Sequence, residues 1–124
     1  MQMKLELIPV PVSDTDIAID FYVNKVGFIL DHDIQVQPGM RFVQLTPPGS
    51  ACSILIGDGM TEMKPGSQQG LQMVIDNATE AYTELKTKGV DVSDVEVLEW
   101  GSFVYFSDPD GNSWALQEMP HRNK

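Results

Sequence analysis

In LELIPVPV, Glu6, Ile8, Val10 and Val12 fall on one side of an extended chain, and Leu5, Leu7, Pro9 and Pro11 on the other. In GLQMVI, Leu71, Met73 and Ile75 fall opposite Gly70, Gln72 and Val74. A period of two predicts a strand at each place. The spacing then changes to that of a helix. Ala18, Phe21 and Tyr22 mark one apolar stripe, and Ala78, Ala81, Tyr82 and Leu85 mark another. Ser13 or Asp14 can cap the first helix, and Asp76 or Asn77 the second, because a short side-chain oxygen there accepts from a free helical N–H. Gly27 and Gly89 suit the left-handed residue that ends a helix. Three strands follow each helix: about Phe28–Ile34, Arg41–Thr46 and Ala51–Ile56, then about Asp91–Leu98, Phe103–Ser107 and Ser113–Glu118. TPPGS and DPDGN are hairpin turns, in which proline presets one φ and glycine takes the positive φ that other residues resist. The acids of DPDGN are therefore read as turn-makers.

The punctuation repeats. Asp14 and Asp76, Gly27 and Gly89, and Gly49 and Gly111 each stand 62 residues apart in a chain of 124. A fixed offset of this kind points to two copies of one module. The apolar stripes do not superimpose at that offset, so the repeat is one of architecture. The reading is a single domain, 1–124, with one β-α-β-β-β module over about 1–62 and a second over about 63–120. The stretch GDGMTEMKPGSQQ joins them, and its Met60 and Met63 are adaptable enough to serve as a lid.

Composition narrows the function. Eighteen acids against eight Lys and Arg give a net charge of −10. Nucleic acid and anionic membrane are repelled by such a surface, and a cationic small molecule is attracted. The first residues contain no apolar run long enough for a signal or membrane segment, so a cytoplasmic protein is expected. Cys52 is the one cysteine, which leaves no intrachain disulfide and no cysteine-based zinc site. In ACSILI it reads as a small buried apolar residue. His32 and His121 are the two histidines, and neither has a second histidine at metal-ligand spacing; His32 is expected to have a surface or hinge role. No GxSxG or GxxxxGK[ST] arrangement is present.

The doubled module, with FYVNKVGF closing the first helix and FSDPDGNSWALQE near the C-terminus, resembles the vicinal oxygen chelate superfamily. That superfamily includes glyoxalase I, the extradiol dioxygenases and the fosfomycin and bleomycin resistance proteins. The resemblance implies an α+β fold whose eight strands form a curved mixed sheet shaped as a cup, with half-cups paired within or between chains. It also implies a homodimer. Metal-dependent members carry four ligands on the inner face. Transferred by motif, those places fall on Leu7, Ser53, Gly70 and Ala115, so no metal and no other cofactor is expected. A register slip would bring in Glu6, Gln69, Gln72, Gln117 or Glu118. Alternation turns Glu6 and Glu118 toward the helix side or the edge, and amides are poor ligands for a catalytic divalent ion.

Binding is thus favoured over catalysis. The candidate ligand-binding residues are Arg41, Gln44, Ser53, Gln72, Trp100, Phe103 and Gln117. The amides would supply fixed polar contacts in an apolar pocket, and Trp100 could stack on a planar or sugar-bearing ligand. Trp114 is one residue out of the inward register and is expected in the core or an interface. The expected function is metal-free binding of a cationic, drug-like molecule. The alternatives are a metal-dependent lyase, isomerase or dioxygenase with non-standard ligands, and an interaction module with a filled cup.

Overall fold

The computed structural model describes residues 1–120; His121 lies outside the described residues. Among the described residues, eight strands form two four-stranded mixed sheets of identical topology. The first contains β1 (Leu7–Pro9), β2 (Ile29–Gln37), β3 (Met40–Thr46) and β4 (Ser53–Ile56), in the spatial order β1-β4-β3-β2. The second contains β5 (Leu71–Ile75), β6 (Glu96–Leu98), β7 (Gly101–Ser107) and β8 (Ser113–Glu118), in the order β5-β8-β7-β6. In both, the first strand runs parallel to the last and the remaining pairs are antiparallel. The doubled β-α-β-β-β reading is thereby met.

Helix α1 (Thr15–Ile19) is capped by Asp14, whose carboxylate accepts from the Ile17 N–H at 3.1 Å. It widens into a π-type helix over Asp20–Val26. The helix stops at Gly27, at φ 101°, where the Gly27 and Phe28 N–H groups both donate to the Tyr22 carbonyl. Helix α2 (Ala78–Thr87) is capped by Asn77, which accepts from the Glu80 N–H at 2.9 Å. Its first turn carries Glu80 and its last Lys86, as the helix dipole favours.

Strand bounds depart from the sequence reading where side chains intervene. β1 is only three residues long, because Pro9 and Pro11 have no N–H to give a ladder. β2 begins one residue late, since Phe28 is buried against the Tyr22 ring, and it continues to Gln37. The strand expected from Asp91 starts at Glu96. Before it, the Ser93 hydroxyl accepts from the Tyr105 N–H at 2.9 Å, so a side chain replaces part of the backbone ladder.

Contacts divide the chain into two compact units. One comprises Met1–Gln68 with Asp108–Asn112; the other comprises Gln69–Ser107 and the chain from Ser113. The DPDGN turn thus belongs with the first module, although it joins two strands of the second sheet. Asp108 explains this. Its Oδ2 accepts from the Tyr22 hydroxyl at 2.8 Å and from the Asn112 amide at 2.7 Å. Its Oδ1 accepts from the Asp110 and Asn112 N–H groups at 2.9 and 3.0 Å. Asn112 is fully buried; its amide also donates to the Pro11 carbonyl, and its oxygen accepts from the Gln68 N–H. The segment between the modules is bound down in the same way. Thr15 and the Arg41 N–H both donate to Asp58, and the Gly66 N–H donates to Pro11.

Buried polar groups of this kind are costly to orphan. Asp108→Ala is expected to lower unfolding stability by about 3 kcal/mol, by leaving the Tyr22 hydroxyl and the Asn112 amide without their acceptor. Gly66 sits at φ +83°, and a Cβ there would lie 2.1 Å from the Asp110 carbonyl oxygen. Gly66→Ala is expected to cost about 2 kcal/mol or more. Gly49→Ala, at positive φ but with open space around it, should cost only about 1 kcal/mol. Urea unfolding of the three variants checks the order.

Candidate functional site

Each sheet has an apolar buried face and an opposite, mixed face, here called open, on which Ser53, Phe103 and Gln117 are nonetheless buried. In the first sheet, Val43 pairs with Ile56 and Leu45 with Ile54, and these four form the buried face. At roughly 2 kcal/mol per buried aliphatic side chain, they fix which way the sheet faces. Alternation then places Gln44 and Thr46 of β3, and Ser53 and Leu55 of β4, on the open face. Leu7 joins them opposite Ser53, and His32 lies opposite Gln44 with its ring 6.3 Å from that of Phe42.

Gln44, Ser53 and Thr46 form a hydrogen-bonded row. The Gln44 amide donates to the Ser53 Oγ at 3.2 Å, and the Ser53 and Thr46 hydroxyls lie 2.6 Å apart. The Thr46 hydroxyl donates to the Asp31 carboxylate. Asp31 was not singled out from the sequence. The β2–β3 register shifts between Leu30 and His32, so Asp31 is the extra residue of a bulge. A bulge re-aims its side chain and breaks the alternation on which sequence reading relies.

Arg41, expected to border an opening, is tied to neighbouring carboxylates. It shares the face of Val43 and Leu45. Its Nε and Nη2 grip both oxygens of Asp33, at 2.9 Å each, and its Nη1 reaches Asp16 of α1 at 2.9 Å. The Arg41 hydrogen bonds hold the Asp33 carboxyl below its ordinary range, and Asp33 and then Asp16 push the Arg41 value further up. This guanidinium is committed to ties between β3, β2 and α1.

In the second sheet, Val104 with Leu116 and Phe106 with Trp114 make the buried face, on which α2 packs. Trp114 is in the core, and its ring stacks on Phe106 at 6.3 Å. Glu118 shares this face and accepts from the Ala78 N–H at 2.8 Å, so it anchors the start of α2. The open face carries Gln72, Ala115, Gln117, Phe103 and Tyr105. Gln72 donates to Gln117 at 2.6 Å, and Gln117 donates to the Trp100 carbonyl at 2.6 Å. The buried Phe103 ring lies parallel to Tyr105, with centroids 5.9 Å apart. Tyr105 is 37% exposed and donates to Glu96 at 2.9 Å. Burial, then the Glu96 carboxylate, pushes the Tyr105 phenol above its ordinary value. The indole of Trp100 is 60% exposed on the turn before β7.

These faces do not fit a divalent metal. Leu7 lies opposite Ser53, and by the same register Gln72, not Gly70, lies opposite Ala115. Gly70 precedes the strand, and its N–H donates to the Ser113 hydroxyl. Leu, Ser, Gln and Ala together offer no anionic or imidazole donor. Among the described residues, no group of three or more His, Cys, Asp or Glu could hold a metal ion. Cys52 is half-buried, and Met60 and Met63 are half-buried in the connecting segment. No helix among the described residues is long and apolar enough to cross a membrane.

Comparison with known proteins gives the same fold. The family model of the Glyoxalase/Bleomycin resistance protein/Dioxygenase superfamily matches residues 4–116. An uncharacterized protein of Bacillus subtilis (strain 168), YetH, is 30% identical over 122 residues, which cover 95% of this chain and 100% of that one. TnmS3, an antibiotic binding protein from Streptomyces sp. CB03234, has a crystal structure that superposes with a TM-score of 0.87 at 37% identity, covering 96% of this chain and 98% of its own. A glyoxalase/bleomycin resistance protein from the same Streptomyces superposes with a TM-score of 0.81 at 38% identity, covering 92% and 99%.

The Arg41–Asp33 pair yields a pH prediction. Asp33 has a lower pKa folded than unfolded, so the pair's contribution is complete above the ordinary value of 3.8 and is lost as pH falls through the lower folded value. Arg41→Met should be less stable than wild type at neutral pH by about 1 kcal/mol, as expected of a partly exposed pair. The gap should narrow as urea titrations are taken to pH well below 3.8.

Proposed function

We propose that this chain, which belongs to the Glyoxalase/Bleomycin resistance protein/Dioxygenase superfamily, binds and sequesters a small organic molecule without a metal. One observation carries the reading: Leu7 pairs with Ser53 and Gln72 with Ala115 where the resemblance, with Gln72 in the register place of Gly70, puts metal ligands, and amides and aromatic rings line the faces around them. A ring such as Tyr105 or Trp100 supplies contact area at low entropic cost, and the amides fix orientation. The similarity to an antibiotic binding protein over nearly the whole chain supports a drug-like ligand. A net charge of −10 favours a cationic one.

The working form is a homodimer. β2 is an edge strand with every residue exposed, and it carries Ile29, Leu30, Ile34 and Val36. An uncovered nine-residue edge strand that exposes these four apolar side chains is a hazard that a second copy would remove. Sedimentation velocity at micromolar concentration should give a dimer; a strict monomer would count against a shared cleft.

Calorimetric titration with a cationic glycopeptide of the bleomycin type tests the drug-binding form. Heat of binding that is unchanged by chelator is expected, and Trp100→Ala should weaken it by about tenfold, or about 1.4 kcal/mol. No heat at millimolar ligand would remove that form.

A further inference from the structure

The open face of the first sheet carries a directed row of hydrogen bonds, and its direction specifies what the face can recognise. A carboxylate only accepts, so the single Thr46 hydroxyl proton goes to Asp31. Thr46 must then accept from Ser53, whose own oxygen accepts from the Gln44 amide. Every bond points the same way, Gln44 to Ser53 to Thr46 to Asp31, and bonds aligned in this manner polarise one another. The hydroxyl protons of Ser53 and Thr46 are both committed inside the row. At its ends are two oxygens that accept from no side chain or backbone group among the described residues: Oδ1 of Asp31 and Oε1 of Gln44. Ser53 is buried and Asp31 exposed, so the row runs from the body of the sheet out to its edge strand.

Resting on the binding reading above, we propose that this row is the polar anchor of the ligand site, and that it takes a cationic N–H group, an ammonium or amidinium, rather than a carboxylate or phosphate. Asp31 supplies the charge. Gln44 supplies a second acceptor for a neighbouring donor. Thr46 and Ser53 hold both ends in place, because moving either breaks a bond in the row. An anionic group would be repelled by the Asp31 carboxylate at one end and would find at the other a single remaining Gln44 N–H, the hydroxyl protons being already committed. The preference is built into the residue order and is distinct from the general attraction of an acidic surface.

Nitrogen-15 NMR of the full chain separates these effects, with benzylamine, benzyl alcohol and benzoate as probes of nearly constant shape. Benzylamine, cationic at neutral pH, is expected to shift the backbone amides of Asp31, Gln44, Thr46 and Ser53 with millimolar affinity. The alcohol should bind more weakly and benzoate should leave those amides unmoved. Asp31→Asn should weaken benzylamine by about tenfold with the remaining spectrum preserved. Asp94→Asn, which removes the same charge from an exposed position outside the row, should leave the affinity unchanged. Equal loss in both variants, equal binding of benzoate, or no shift at these four amides would overturn the anchor. Shifts confined to the second sheet would overturn it while leaving organic-ligand binding intact.

Discussion

The buried carboxylate of Asp108 is the constraint on which the rest of this structure depends. Four donors converge on it: the Tyr22 hydroxyl, the Asn112 amide and two turn N–H groups. A carboxylate out of water is tolerated only when its lone pairs are filled, and here they are. Chain connectivity gives the interaction its reach. Tyr22 comes from the first helix, and Asp108 comes from the hairpin that joins β7 to β8. Asn112 extends the network to Pro11 and Gln68. A turn from late in the sequence is thereby fixed within the unit formed by the early sequence. The π-type widening after Ile19 belongs to the same arrangement, since it ends in the double hydrogen bond to the Tyr22 carbonyl.

With the ends of the strands fixed, alternation decides the chemistry. Val43, Leu45, Ile54 and Ile56 commit the first sheet's buried face, and Gln44, Thr46 and Ser53 are left on the other. Val104, Phe106, Trp114 and Leu116 do the same for the second sheet, leaving Gln72, Gln117, Phe103 and Tyr105. The open faces carry amides, hydroxyls and rings, with the Asp31 carboxylate and His32 beside them on the first sheet. Such groups suit the recognition of a small molecule.

Much of the fold was legible because its signals are local. Asp14 and Asn77 cap helices through their own side chains. Gly27, Gly49, Gly89 and Gly111 all stand at positive φ, where no side-chain-bearing residue is at ease. The period of two placed Gln72 and Gln117 on one face, and their amides meet there. The remainder depends on partners distant in sequence. Arg41 looks free until Asp16 and Asp33 are brought to it. Asp31 looks like an acid on a regular strand until the bulge turns it toward Thr46. Gly70 looks like the counterpart of Leu7 until the β5–β8 register moves that role to Gln72. Bulges, register and long-range ion pairs leave no periodic trace, which is why they escaped.

Native mass spectrometry after incubation with Ni²⁺, Mn²⁺, Fe²⁺ or Zn²⁺ tests the central claim most directly. The account predicts no added metal mass on the protein in any case, because Leu7, Ser53, Gln72 and Ala115 supply no donor set for a divalent ion. One tightly held metal per chain would contradict it and would return the protein to the family's metal-dependent chemistry.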